Sequence, residues 1–147
     1  MTPTLLGRWQ TRLILLGTAG VLITLIFGLI FADFITPFSL LGYVLITGFA
    51  WDVLYYFSQT LRWDRDWPPI FFVGAGVIEG AFIWGLVKAE FVWNLLRLGH
   101  LPGVAPELTV AQFVAHYGTV WLITFLIMLG PMKIIFPEWR FRGGRLL

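Results

Sequence analysis

Four long apolar blocks dominate the chain, and short stretches rich in polar and helix-breaking residues separate them. Each block reaches at least about the 20 residues that an α-helix needs to cross the hydrocarbon core of a bilayer. The pattern predicts an all-α, polytopic membrane protein with one domain, in which four transmembrane helices form a bundle. The predicted spans are 13–32, 38–57, 70–93 and 109–136, and a short tail follows at 137–147.

Proline and glycine mark where the predicted helices begin and bend. Pro68 and Pro69 open the third span, where a missing N–H group has no cost, and Asp66 is placed to cap the same helix. Near the end of the fourth span, Gly130 and Pro131 predict a kink. No linker-like stretch divides the chain.

Composition supports a lipid environment. Apolar residues make up 59% of the chain and charged residues only 12%, against roughly half and a quarter in soluble proteins. Cysteine is absent, which excludes thiolate catalysis and cysteine-bound metals or clusters. The net charge of +2 is interpreted as topology information, and no nucleic-acid partner is expected.

The basic residues predict the orientation in the membrane. With the N-terminus in the cytoplasm, only Lys88 and Arg97 fall on the outer side. This asymmetry predicts that both termini are cytoplasmic in a multi-pass protein of a bacterial-type plasma membrane or an internal membrane. The basic residues predicted on the inner side are Arg8, Arg12, Arg62, Arg65, Lys133, Arg140, Arg142 and Arg145.

Glu79 is the first candidate for a functional residue. It lies about 13 Å into the third span at 1.5 Å per residue, beside Gly76 and Gly80, whose spacing permits close helix contact. A carboxyl at this depth is rare and indicates a proton- or ligand-binding site. The structural alternative is a hydrogen-bonded Glu79 that holds two helices together. The first predicted span, 13–32, carries no ionisable residue.

Asp52 and His116 are the other candidates inside the spans. Asp52 lies within a turn of the depth of Glu79, so the two carboxyls can meet across neighbouring helices, and if they do, one must keep a proton or both must share a cation. The structural alternative pairs Asp52 with Arg62 or Arg65, or hydrogen-bonds it to Tyr or Trp at the interface. His116 extends these groups into a polar ladder typical of a relay, or is a neutral, hydrogen-bonded histidine.

Outside the spans, the pattern predicts no catalytic or metal-binding residue and identifies no cofactor. The Asp64-Arg65-Asp66 segment resembles a metal–nucleotide motif, but the spacing is common by chance and the arginines neutralise the acids. The tail alternates basic and aromatic residues, which predicts docking to lipid or to a partner. The residues of this predicted docking segment are Trp139, Arg140, Arg142 and Arg145.

Three functional hypotheses follow. The leading one is a non-catalytic integral membrane protein that acts as a small subunit or accessory factor of a larger membrane complex. The first alternative is a small proton- or cation-coupled carrier that uses Glu79. The second is a membrane enzyme or a binding pocket for a lipid, isoprenoid or pigment. The expected partners are the lipid bilayer and either a membrane protein or further copies of the chain.

Overall fold

The computed structural model describes residues 3–145, except the side chain of Arg140, and this part of the chain is helical and without strands. Four helical segments are long and apolar enough to cross a membrane, which confirms that part of the prediction. The helices are α1 (Leu5–Phe31), α2 (Ile35–Thr60), α3 (Pro69–Val87), α4 (Glu90–Leu95), α5 (Val110–Leu129) and α6 (Pro131–Ile135). The fourth segment, Val110–Ile135, contains both α5 and α6.

Helix α1 begins at Leu5, earlier than the predicted span that starts at residue 13. The Thr4 side chain caps it by accepting a hydrogen bond from the Gly7 N–H at 3.1 Å, as N-terminal threonines commonly do. Arg12 is therefore part of the helix, and the expectation of a first span without an ionisable residue is wrong. Leu16–Gly20 forms a π-helical turn within α1.

Helix α3 begins at Pro69 without a side-chain cap, because extended Pro68 occupies the capping position. The prediction that Asp66 caps this helix is wrong. Instead, the Asp66 N–H donates to the Asp64 carboxylate at 3.2 Å. The helix ends at Val87, and Glu90–Leu95 forms a separate short helix where the sequence predicted a continuous span to residue 93.

The predicted interruption of the fourth span is confirmed. Gly130 adopts φ −120° and ψ −80° between α5 and α6, outside the α-helical region. Pro131 then opens α6, since its fixed φ suits a first helical turn.

The helices pack around a shared interior. Helix α1 packs against α2 and α5, and α3 packs against the same two helices. At one end, the loop after α4 folds inward and closes the bundle with an apolar cluster. The core members of this cluster, each at most 5% exposed, are Leu40, Ile83, Leu101, Val104, Leu108 and Phe113.

The opposite end holds the start of α1 and the described part of the tail. The Thr4 N–H donates to the Gly143 carbonyl at 2.7 Å, so the start of α1 and the tail after α6 lie on the same side. Between this end and the apolar cluster, α1, α2 and α3 each direct a charged side chain into the interior.

Candidate functional site

Arg12, Asp52 and Glu79 form one ion-paired cluster, and each comes from a different helix. The Arg12 guanidinium donates to Asp52 from Nε at 2.9 Å and from Nη2 at 3.1 Å. It donates to Glu79 from Nη1 at 2.9 Å and from Nη2 at 3.1 Å. The fork of Arg12 therefore holds two carboxylates at once, in the bidentate geometry that gives the strongest hydrogen bonds of this type.

The site bears on two interpretations of Asp52 that the sequence left open. Asp52 and Glu79 meet across neighbouring helices, and the Arg12 guanidinium lies between them. The alternative that pairs Asp52 with Arg62 or Arg65 is wrong, because Arg12 is its partner. Arg62 forms an ion pair with Asp64 instead.

Gly48 makes room for the cluster. A methyl group at Gly48 would overlap the Arg12 guanidinium in its present position, so the absence of a side chain at Gly48 lets this planar group lie directly against α2. Asp52 follows Gly48 by one helical turn and so lies on the same face of the helix. The Arg12 side chain is consequently held between the α2 backbone and the Glu79 carboxylate of α3.

Arg8 lies one turn before Arg12 and is buried, with 7% of its surface exposed. Its Nη2 donates to the Gln59 side chain at 2.9 Å, and its guanidinium carbon lies 4.5 Å from the centre of the Trp67 ring. Such stacking stabilises a desolvated guanidinium. The Arg8 Nε has no hydrogen-bond partner within the described part of the chain.

A cavity of about 150 Å³ adjoins these groups. All four charged residues just described contribute to its wall, together with residues of α1, α2, α3, α5 and the tail. The rest of the wall is mainly apolar and aromatic. The aromatic residues of the wall are Tyr55, Trp67, Phe72, Tyr117, Trp121, Phe125 and Trp139.

The glycine pair of α3 accommodates rings of α5. Trp121 lies against Gly76 and Tyr117 lies against Gly80, so that a methyl group at either glycine would overlap a ring. The Tyr117 hydroxyl donates to the Gly76 carbonyl at 2.6 Å. The two glycines thus set the aromatic wall of the cavity.

Trp139 closes the cavity from the tail. It is 3% exposed, and its Nε1 donates to the Thr11 hydroxyl at 2.9 Å. The Thr11 hydroxyl in turn donates to the Gly144 carbonyl at 3.2 Å. This predicted docking residue therefore binds the chain's own first helix.

The other tail residues differ from Trp139. Arg142 is exposed and pairs with Glu138, and Arg145 is exposed as well. The side chain of Arg140 lies outside the described residues. The exposed Arg142 and Arg145 keep the basic character that favours binding to an anionic surface.

His116 is separate from the ion-paired cluster. Its Nε2 lies 3.0 Å from the Thr24 hydroxyl, which joins α5 to α1, and the residue is 2% exposed. Within residues 3–145, no hydrogen bond or ion pair joins His116 to Asp52 or Glu79. This arrangement matches the hydrogen-bonded structural alternative, and the relay stays a prediction.

The Asp64-Arg65-Asp66 segment is engaged in local structure. The hydrogen bonds from Arg62 to Asp64 measure 2.7 and 3.0 Å and lower the pKa of Asp64 to about 2. Arg65 adopts a left-handed conformation with φ 50°. The described residues contain no cluster of histidine and acidic side chains suited to a metal ion.

Comparisons with protein families, with curated proteins and with solved structures find no match to this chain. The geometry and charge of the site carry information on function that a fold alone does not.

Proposed function

We propose that this protein is a non-catalytic membrane protein that binds a small amphiphilic molecule in the cavity beside Arg12, Asp52 and Glu79. The observation that carries this proposal is the cavity itself, which combines an aromatic wall with charged groups within helices suited to span a membrane. Ligand sites are mostly apolar with a few placed polar groups. Ionisable residues inside membrane helices mark such sites because they are costly elsewhere.

The proposed binding role fits the leading hypothesis of a small subunit or accessory factor of a larger membrane complex. Support for a protein partner comes from the tail, where the Phe141 ring is 86% exposed beside buried Trp139. Exposed Arg142 and Arg145 are close in sequence. An exposed aromatic group with basic neighbours suits docking to a membrane-protein partner at the interface.

The proposed orientation places both termini in the cytoplasm of a bacterial-type plasma membrane or an internal membrane. The contact between Thr4 and Gly143 supports a shared side for the two chain ends. The loop after α2, which would lie on the same side, contains the basic residues Arg62 and Arg65. Cytoplasmic loops are generally rich in such residues.

Affinity purification from the native membrane in polymer-bounded lipid discs tests the binding role. Mass spectrometry is expected to find one small amphiphile enriched at about one molecule per chain over the bulk lipid. A defined protein partner without an enriched small molecule would favour the accessory-subunit role instead. A chain recovered with neither would contradict both roles.

A proton- or cation-coupled carrier is the second candidate, and the shared Arg12 favours it specifically. Protonation of Glu79 would release Arg12 from one of its two partners, and a cation would compete with Arg12 for the same oxygens. Either event changes the charge balance at the cavity wall. An ion pair that can exchange one partner in this way is suited to couple proton or cation binding to transport.

The Glu79→Gln variant tests the carrier. The carrier hypothesis predicts that proton-coupled uptake into reconstituted vesicles is abolished, while the protein still folds because Asp52 keeps its bidentate bonds to Arg12. Glu90→Gln is the matched control, since Glu90 is exposed on α4. Unchanged uptake in Glu79→Gln would contradict the carrier.

A further inference from the structure

The tail closes one end of the cavity. Trp139 and Gly144 line the cavity wall, and both are buried. Besides the bonds at Thr11, the Thr4 hydroxyl and N–H both donate to the Gly143 carbonyl, at 3.2 and 2.7 Å. The wall residues that the start of α1 and the loop before α3 contribute at this end are buried as well: Pro3, Gly7, Arg8, Thr11 and Trp67. Water on the tail side of the membrane is therefore kept from the cavity.

Helix α5, by contrast, supplies most of the half-buried residues of the wall. On the side of α5 that faces α1, Trp139 packs with Leu15 and Met132 in an apolar cluster, and Met128 lies against this cluster. That side of α5 is consequently filled, and the remaining opening lies on the side that faces α3. The half-buried wall residues of α5 are Tyr117, Trp121, Thr124, Phe125 and Met128.

The packing between α3 and α5 is uneven along the two helices. Trp121 lies against Gly76 and fills the space at that level. One turn nearer the tail, Phe72 and Phe125 line the cavity and are both half-buried. The Phe72 ring contacts Trp67 and the Phe125 ring contacts Trp121, whereas within residues 3–145 no ring contact joins the two phenylalanines. The cavity therefore opens between Phe72 and Phe125.

This opening lies just inside the leaflet on the tail side. Phe72 follows Pro69, the first residue of α3, by about 5 Å at 1.5 Å per residue, and α5 ends at Leu129, about 6 Å beyond Phe125. The 19 residues of α3 just span a hydrocarbon core of about 30 Å. Molecules with an apolar body and a polar head collect at this depth, as amphipathic aromatic side chains do.

We infer, on the basis of the proposed binding role, that the occupant is an amphiphile dissolved in the bilayer, which enters from the tail-side leaflet between Phe72 and Phe125. The tail is the seal that keeps water out of the same cavity. Exclusion of water strengthens the ion pairs of Arg12 with its two carboxylates. A water-soluble molecule that arrives from the tail-side solution is not the expected occupant.

Thiol reagents measure both routes, because the chain has no cysteine of its own. Thr124→Cys places a thiol at the cavity wall, and Leu61→Cys, at a position 74% exposed after α2, is the water-facing reference. Each full-length protein in lipid nanodiscs is treated with neutral methyl methanethiosulfonate or with its trimethylammonium-ethyl analogue, and intact mass gives the rates. Relative to Leu61→Cys, the charged reagent is expected to react with Thr124→Cys at least about tenfold more slowly than the neutral one, since a charge enters the membrane interior at high cost.

Gly7→Ala in the Thr124→Cys protein tests the seal. A methyl group at Gly7 would overlap the backbone of Gly143 and Gly144, so the tail must move away from α1. The charged reagent is expected to react about tenfold faster, as its exclusion is lost, while the neutral reagent keeps its rate. Gly42→Ala is the matched control, because in the described part of the chain no atom beyond its own helical turn lies within 4 Å of a methyl group there.

Phe125→Ala in the same protein tests the lateral opening. Loss of the ring widens the gap to Phe72, so the neutral reagent is expected to react faster and the charged reagent to stay slow. Leu122→Ala is the matched control on α5, since Leu122 is 47% exposed and is not among the residues that line the cavity.

The rates separate failure of this inference from failure of the binding role. Trp139→Leu, which removes the donor to Thr11, replaces Gly7→Ala if that variant does not fold. Equal relative rates of the two reagents at Thr124→Cys, no reaction with the neutral reagent, or a charged-reagent rate that neither tail variant changes would overturn the inference and leave the binding role standing. The expected rates without an enriched small molecule from the native membrane would overturn the binding role instead.

Discussion

Replacement of Arg12 by leucine is expected to lower the free energy of unfolding by about 3–5 kcal/mol, the usual cost of removing one partner from a buried ion pair. Asp52 is 4% exposed and Glu79 is 7% exposed. Without Arg12, both carboxylates would face each other in the interior with no cation between them. Reversible unfolding of the purified protein in mixed micelles with sodium dodecyl sulfate measures the change.

Neutral amides in place of both acids provide the control for this effect. The triple variant Arg12→Leu, Asp52→Asn, Glu79→Gln is expected to regain most of the lost stability, since amides need no counter-charge. Equal stability of the wild type and Arg12→Leu would show that the cluster does not hold α1, α2 and α3 together.

A single methyl group at Gly48 is expected to lower the free energy of unfolding by about 1.5–3 kcal/mol, the strength of a hydrogen bond to a charged group. The added carbon would overlap the Arg12 guanidinium. Although the arginine side chain is flexible, four hydrogen bonds of 2.9–3.1 Å hold its end in place. Gly48→Ala therefore displaces the guanidinium from at least one carboxylate.

Gly42→Ala on the same helix is the matched control, because among residues 3–145 no atom beyond its own turn of the helix lies within 4 Å of an added methyl group there. Alanine favours a helix over glycine by about 1 kcal/mol at an exposed position, so Gly42→Ala is expected to be neutral or stabilising. The same micelle unfolding measurement compares the two variants. A Gly48→Ala protein as stable as Gly42→Ala would contradict the packing of Arg12 against α2.

The sequence predicted the spans and showed that two acids lie at similar depth, because both follow from distance along a helix. Apolar length decides which segments cross a bilayer. The rise per residue places Asp52 and Glu79 at similar depth. Depth alone left open whether the two carboxyls meet or Asp52 pairs elsewhere, and in the structure both carboxyls pair with Arg12.

Arg12 itself was missed because hydropathy defines a span by excluding charges. The predicted span began directly after Arg12, which left this residue in the flanking segment. A usable signal was present at Thr4, a good N-cap residue that starts the helix at Leu5. Arg8 and Arg12 are four residues apart, so in a helix that begins at Leu5 they lie on the same face.

The positions of His116 and of the tail depend on tertiary packing that the sequence pattern does not contain. The depth of His116 in the fourth span led to the prediction that it belongs to a polar ladder. The direction of its side chain, however, depends on which helices are neighbours, and in the structure its Nε2 contacts the Thr24 hydroxyl. Trp139 has the basic flanks of an interfacial anchor, yet it folds back onto Thr11. The wall of the cavity, which includes Trp139, likewise depends on this packing, and the sequence pattern offered a binding pocket only as an alternative hypothesis.

Native mass spectrometry of the protein released from native lipid discs tests the binding role most directly. The wild type and Gly42→Ala are expected to keep one small-molecule adduct per chain after the bulk lipid is stripped. Gly48→Ala, in which Arg12 is displaced at the cavity wall, is expected to lose it. A wild-type chain without an adduct, or an adduct retained equally in Gly48→Ala, would contradict a binding site at this cluster.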